Sequence, residues 1–272
     1  MKVIKKLSFL STLLCFTYSV FAQNNDTVYI TSKNINTKVL KEGTHRYLVY
    51  AKMKKDSIRM ITQFWTRTIK RTDYNGTPVI EVTQEWEDKD SIMHITKSFC
   101  DAKTMQPLYH KTWWKLQATR NATSKTVTET TVDFLNKTVE HNGNWLSDAD
   151  SAKQAKAIWA AYKSSIDKYY FNWHLDLETF PLLPYKNGVT FIIPFYDPGT
   201  SSNYQKVSYT VTGSAELIGF NDQKIDCWLL VHEEKGIKEI FWISKKTKEV
   251  LKLEQELNGR LYRYKIKLGF SM

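Results

Sequence analysis

Apolar and polar residues alternate with a period of two over most of this chain. Tyr47, Val49 and Ala51 alternate with Arg46, Leu48 and Tyr50. Farther on, Val79, Glu81, Thr83 and Glu85 oppose Ile80, Val82, Gln84 and Trp86. Successive side chains of a strand point to opposite faces, so this pattern between turn residues predicts half-buried antiparallel strands. The reading extends to 58–69, 92–99, 108–116, 126–135 and 137–140. It resumes at 189–196, 205–217, 224–233, 238–244, 250–257 and 260–268. Asn75-Gly76, Asn142-Gly143, Asn187-Gly188 and Asn258-Gly259 punctuate the run as turns, the last of them marking a hairpin.

One segment follows the other period. Between 148 and 170, Ala155, Trp159, Tyr162, Ile166 and Tyr169 recur every three or four places. Ala152, Ala157, Ala160 and Ala161 raise helix propensity, and Ser147, Asp148 or Asp150 can cap the start. An amphipathic helix with an aromatic face has to cover something apolar, and the concave side of a curved sheet is the natural partner. Pro181 and Pro184 predict an extended connector after it. The expected fold is therefore mainly β (α+β): a large curved antiparallel sheet or open barrel, with one prominent amphipathic helix on its concave face. With no fixed-period repeat and no low-complexity linker, 23–272 reads as a single β-rich half-barrel-like domain.

The first residues change the picture of where this domain works. Lys2, Lys5 and Lys6 precede an apolar run from Leu7 to Val20, and Val20-Phe21-Ala22 closes it with short residues. That is the form of a cleaved secretory signal peptide over 1–22, with a mature start near Gln23. The run is too short to span a bilayer comfortably, which needs about 20 apolar residues, and no later segment is long enough. Cys15 follows the bulky Leu13 and Leu14, so it does not fit a lipoprotein cleavage point. The expectation is an exported protein of the periplasm or outer-membrane surface of a Gram-negative bacterium.

Net charge is +11, and removing a leader with three lysines and no acid leaves about +8. A basic surface attracts anions, and export makes nucleic acid the least fitting of them; a purely solubilising charge is the alternative. Export also leaves Cys100 and Cys227, between which an oxidising compartment allows a disulfide; two separate buried thiols are the other reading.

Catalytic signatures are wanting. None of His45, His94, His110, His141, His174 and His232 sits at metal-ligand spacing from another. His174-Leu175-Asp176 comes nearest to a ligand pair, and a helix-end histidine beside an acid is its commoner meaning. There is no nucleophile elbow, phosphate loop or dinucleotide fingerprint, and Gly213-Ser214-Ala215-Glu216 lacks the flanks of one. Glu85, Glu87 and Asp88 surround Trp86, and alternation puts Glu85 and Glu87 on one face, expected to be the wet one. Cys227 has no basic neighbour to activate it. No catalytic residue, metal or cofactor is expected.

Aromatic side chains are the remaining signal: 9 Trp, 15 Tyr and 13 Phe. Core packing is their usual use. A cavity between sheet and helix would suit a hydrophobic or lipid-like ligand, with Trp159, Tyr162, Ile166, Tyr169, Trp113 and Trp228 as candidate lining. Rival readings are a module that docks on other envelope proteins through an exposed aromatic patch, and a glycan-binding or glycan-processing protein using tryptophans and the acidic cluster. The triplets Asp26-Thr27-Val28, Asp56-Ser57-Ile58, Asp90-Ser91-Ile92 and Asp150-Ser151-Ala152 are similar to O-glycosylation sites of some exported bacterial proteins.

Trp242-Ile243-Ser244-Lys245-Lys246-Thr247-Lys248-Glu249-Val250-Leu251-Lys252-Leu253 resembles the closing strands of exported bacterial proteins grouped as domain of unknown function 3108. So do 182–188, 207–213 and Asp226-Cys227-Trp228, and the resemblance covers most of 40–268. That group is similar in architecture to lipoprotein-localisation factors, which implies a curved antiparallel sheet, an unclosed barrel and covering helices. It implies no particular cargo and no site residues.

Overall fold

The computed structural model describes residues 26–89, 91–117, 125–219 and 222–269. The expected leader, Cys15 and Asp90 of one triplet lie outside the described residues. The first half contributes β1 (Thr27–Tyr29), β2 (Gly43–Lys52), β3 (Met60–Tyr74), β4 (Thr77–Asp88), β5 (Ser91–Asp101), β6 (Pro107–Gln117), β7 (Lys125–Asp133), β8 (Thr138–His141) and β9 (Asn144–Trp145). After helix α1 (Lys153–Ser165) come β10 (Phe171–Asn172), a short helix α2 (Asp176–Thr179), and β11 (Thr190–Tyr196). The chain ends with β12 (Gln205–Ile218), β13 (Lys224–Glu234), β14 (Ile237–Ser244), β15 (Val250–Leu257) and β16 (Leu261–Leu268).

All sixteen strands form one curved, unclosed sheet. Its order is β1-β11-β12-β13-β14-β15-β16-β2-β3-β4-β5-β6-β7-β8-β9, with β10 also on β11. The chain thus folds as two meanders, 43–145 and 190–268, joined edge to edge where β16 pairs antiparallel with β2. β1 and β10 are the parallel exceptions, both on β11.

Register turns the alternation into rows across the concave face. Trp65, Trp86, His94 and Trp114 are paired strand to strand from β3 to β6. One step along, Arg67, Gln84, Thr96, Thr112 and Thr130 form a second row. Ile69, Val82, Ser98, His110 and Val132 form a third. Residues two apart on a strand share a face, so a single register places every member of these rows inside. The apolar members near the β3–β4 turn belong to the main core; Arg67, Gln84, His94, Thr96, Ser98 and His110 are buried polar groups on the same surface.

Two expectations change here. The helix is shorter than 148–170: Ser147–Asp150 make a turn, and Asp148 accepts hydrogen bonds from Trp159 and Lys163 instead of capping. Ala155, Ile158 and Tyr162 of α1 pack on Val132, Val139 and Leu146, so α1 covers the β7–β8 margin of the sheet and not its centre. The centre is filled by 171–183, which runs into the stretch where Pro181 and Pro184 predict an extended connector. Phe171, Leu175, Leu177, Phe180, Leu182 and Leu183 are buried there against both meanders. Apart from Phe171 on β10, these apolar residues sit on or next to helical turns of three or four residues, too short to show a helical period in sequence.

Candidate functional site

The segment inside the sheet is held by charge as well as by apolar contact. Arg67 on β3 is fully buried and donates from Nε to Glu178 Oε1 (2.8 Å), with Nη2 on Glu178 Oε2. Its Nη2 also donates to the His174 carbonyl (2.7 Å), which accepts Gln84 Nε2 as well (2.7 Å). Asp176 lies 3.6 Å from Arg67 Nη1 and accepts from Lys265 Nζ of β16 at 2.7 Å. Burial alone would raise the Asp176 pKa, but Lys265 and Arg67 outweigh it and hold the carboxyl below its ordinary value. For Lys265 the balance falls the other way: burial lowers its pKa more than Asp176 restores it.

His174 stands over the second row of the sheet. Its ring centroid is 5.4 Å from that of His94 and 4.9 Å from that of His110, and its Nε2 is 3.1 Å from Asp197 Oδ1. Burial, and then His174, pushes His94 down to about 3, and burial takes His110 well below the ordinary histidine range. Both rings are therefore neutral at physiological pH, and their partners set the tautomers. His94 Nδ1 faces the Trp113 carbonyl at 3.0 Å, so it carries the proton and Nε2 is a bare acceptor. Asn172 Oδ1 accepts from the His174 amide, which makes its Nδ2 a donor to His110 Nδ1 (2.9 Å) and leaves the His110 proton on Nε2. Both Nε2 atoms are buried with no hydrogen-bond partner, as is Thr96 Oγ1 between them.

Two cavities open on either side of His174. One of about 160 Å³ has an apolar wall of Trp65, Trp86, Trp173, Phe180, Phe195, Tyr209, Phe241 and Leu253, and a polar one of Arg67, Asp176, Asp197, Glu239, Arg263 and Lys265. The other, about 210 Å³, is bounded by Thr112, Trp114, Thr128, Thr130, His141, Gln154 and 199–201. The aromatic row links them: Trp65 and Trp86 stack at 3.7 Å and 5°, and His94 stacks on Trp114 at 3.5 Å. Lys265 Nζ lies 4.7 Å over the Trp65 ring. In the first cavity Glu239 accepts from Tyr209 and Gln255, whereas Arg263 Nε and Gln255 Oε1 are buried without a partner. Among the described residues no group of three or more His, Cys, Asp and Glu is arranged to hold a metal ion.

The six aromatic and aliphatic residues singled out in sequence line neither cavity. Tyr162 is core, with Trp159 stacked on it at 5.3 Å and Ile166 alongside. Tyr169 packs edge-on to Phe171, and its hydroxyl donates to the Thr104 carbonyl. Trp113 is on the convex face with Ile95, Lys97, Lys111 and Glu129, and Trp228 packs under Tyr185 with Lys245 Nζ 4.3 Å away. Cys100 and Cys227 are both free and buried, the unbridged alternative. Glu85 is exposed, and Glu87 pairs with Arg46 on the surface at 3.0 Å, while Trp86 between them points inward. Sequence reasoning missed Arg67, Glu178, Asp197, Glu239, Arg263 and Lys265, and singled out His174 and Asp176 only as the nearest approach to a ligand pair. The usable signal was Arg67 and Lys265 at inward positions of alternating strands, beside Trp65 and Ile266.

The family model described as "Protein of unknown function (DUF3108)" matches residues 46–267. No protein of curated function matches the chain. Among solved structures, the chain is similar to the crystal structure of a beta-barrel-like protein of domain of unknown function DUF1849 from Brucella abortus. That likeness has 7% identity and a TM-score of 0.39, and covers 86% of this chain and 99% of the other.

Proposed function

The chain belongs to the family of unknown function DUF3108, and from that premise we propose that it is an exported, non-catalytic binding protein of the envelope for a small hydroxylated ligand about the size of one sugar ring. The observation that carries this reading is the first cavity, where the Trp65–Trp86 stack shares a wall with buried ionised side chains and with the unpartnered Arg263 Nε. A ligand with hydroxyls on its edge and C–H groups on its face meets both demands. It accepts from Arg263, donates to Glu239 and Asp197, and lays its apolar face on an indole. An acyl chain meets only the second: it would cover the indoles and the neighbouring phenylalanines but desolvate Asp176, Glu239 and Arg263 without giving hydrogen bonds in return. The volume of about 160 Å³ is also below the 300–1,000 Å³ of drug-sized sites. This favours the polar alternative among the expected ligands over the lipid-like one.

The test is a tryptophan-fluorescence and thermal-shift screen of neutral, amino and acidic monosaccharides against the purified chain, with palmitate in parallel. A saturable response to a hydroxylated ring that weakens at least tenfold in Arg263→Met and in Glu239→Gln supports the reading. Palmitate binding that survives both substitutions, with no response to any sugar, overturns it.

A further inference from the structure

We propose that one end of the sheet docks on an anionic lipid bilayer through the tip of the β2–β3 hairpin and its neighbours. Antiparallel order brings the end of β2, the start of β3, the β4–β5 turn, the end of β6 and the start of β7 to one rim. Along this rim lie Met53, Ile58, Ile61, Ile92, Leu116 and Val127, all exposed. Ile58 is 88% exposed at the hairpin tip, and Ile61 is 58% exposed. Ile61 also has φ +52°, a left-handed conformation that a β-branched side chain rarely takes. A water-facing strand end gains nothing from holding an isoleucine outward at that cost, whereas one that buries it in an apolar phase does.

Charge identifies the phase. Lys54, Lys55, Arg59, Lys89 and Lys115 outnumber Asp56 and Asp88 on the same rim, and none of the five is in an ion pair among the described residues. Apolar tips flanked by long basic side chains match the two layers of a membrane surface: acyl region for Ile58 and Ile61, anionic headgroups for the lysines, which snorkel. The apolar tips come from several separate turns and strand ends with basic side chains between them, a layout that fits a deformable surface better than a folded partner or a second copy.

The experiment is co-sedimentation of the purified chain with vesicles of phosphatidylcholine alone and of phosphatidylcholine with phosphatidylglycerol, beside Ile58→Asp and the Ile58→Asp/Ile61→Asp pair. Any contribution from residues outside the described ones is common to all three proteins. Docking predicts binding to the anionic vesicles, at least tenfold weaker to the neutral ones and in 0.5 M salt, and at least tenfold weaker in the double variant with unchanged melting. Absence of pelleting at either composition, or equal pelleting by the variants, overturns it. So does a dimer in sedimentation velocity that Ile58→Asp dissociates, because the rim would then be a contact between copies.

Discussion

Arg67 and Glu178 face each other in a two-point contact, Nε to Oε1 and Nη2 to Oε2, at 1% and 3% side-chain exposure. The pair joins a sheet strand to the segment that fills the sheet. Removing two charges from water is costly, and the contact repays this only while both partners are present. Glu178→Gln leaves a buried guanidinium with only Asp176 at 3.6 Å to balance it. It should lower unfolding stability by about 3–5 kcal/mol in urea titration. Arg67→Met/Glu178→Leu removes both charges and should cost well under half of that. A Glu178→Gln protein within about 1 kcal/mol of the parent would show that the pair does not hold the segment.

Acid should unfold the protein well above the carboxylate range. His94 and His110 have folded-state pKa values below the ordinary 6.5, through burial first and His174 second. The sign follows from proton uptake: above pH 6.5 both states are neutral and stability is complete. Below it, the unfolded chain binds protons that the folded chain refuses, down to about 3 for His94. Each ring then removes up to about 1.4 kcal/mol per pH unit. Asp176, with its lowered folded pKa, loses its contribution only as pH falls through and below 3.8. Stability measured from pH 7 to 4 should fall steeply, and His94→Gln should flatten the slope by about one proton. A curve flat down to pH 4.5 would mean that these rings are not buried neutral.

The thiols should be silent in the native protein. Burial, then Glu178 and Asp101, raises the Cys100 pKa; burial, then Asp226, pushes Cys227 up to about 11. The thiolate is the reactive form, so neither side chain should take up an aromatic disulfide reagent until the chain is unfolded. Denatured protein should then titrate two thiols among residues 26–269. The separation is topological: Cys100 is on β5 and Cys227 on β13, with six strands between them in the sheet. A mass two hydrogens lower in protein purified from an oxidising compartment would contradict the free pair.

The strands were legible because burial on one face imposes a period of two, and Asn-Gly pairs mark the turns that set register. Most of Val79–Trp86 followed the alternation: Val82, Gln84 and Trp86 point in and Glu85 points out, whereas Val79, on the Glu85 side, is buried as fully as Ile80. Helix α1 was legible as an aromatic stripe, but not where it docks, since Tyr162 and Trp159 fit any apolar surface. The interior charges were illegible for a physical reason. An inward Arg67 is affordable only because Glu178, 111 positions away, reaches it, and no local pattern records that. Trp65, Trp86 and Trp114 could be counted in the sequence. That they sit side by side with His94 depends on three strand registers at once.

The gap in the sheet should be sensitive to a single methyl group. Gly199, in the loop after β11, has φ +80°, and a Cβ placed on it would lie 2.9 Å from Thr130 Cγ2 on β7. This contact brings the β11 side of the unclosed sheet against the β7 side. Thr130 has little room to yield, since it is buried and its hydroxyl is 2.8 Å from His141 Nδ1. Gly199→Ala therefore meets two penalties: about 1–2 kcal/mol for the left-handed backbone and about 1–3 kcal/mol for overpacking. Gly143→Ala isolates the first, because Gly143 has φ +79° and nothing within 4 Å of the added carbon. Thr130→Ser removes the nearest obstructing carbon and keeps the hydroxyl, while the Cβ of residue 130 stays at 3.1 Å, so the Gly199→Ala/Thr130→Ser pair should recover part of the way toward Gly143→Ala. Chemical denaturation of the four proteins separates the two effects. If Gly199→Ala is no worse than Gly143→Ala, the loop does not press on β7, and the sheet's two sides are not in contact there.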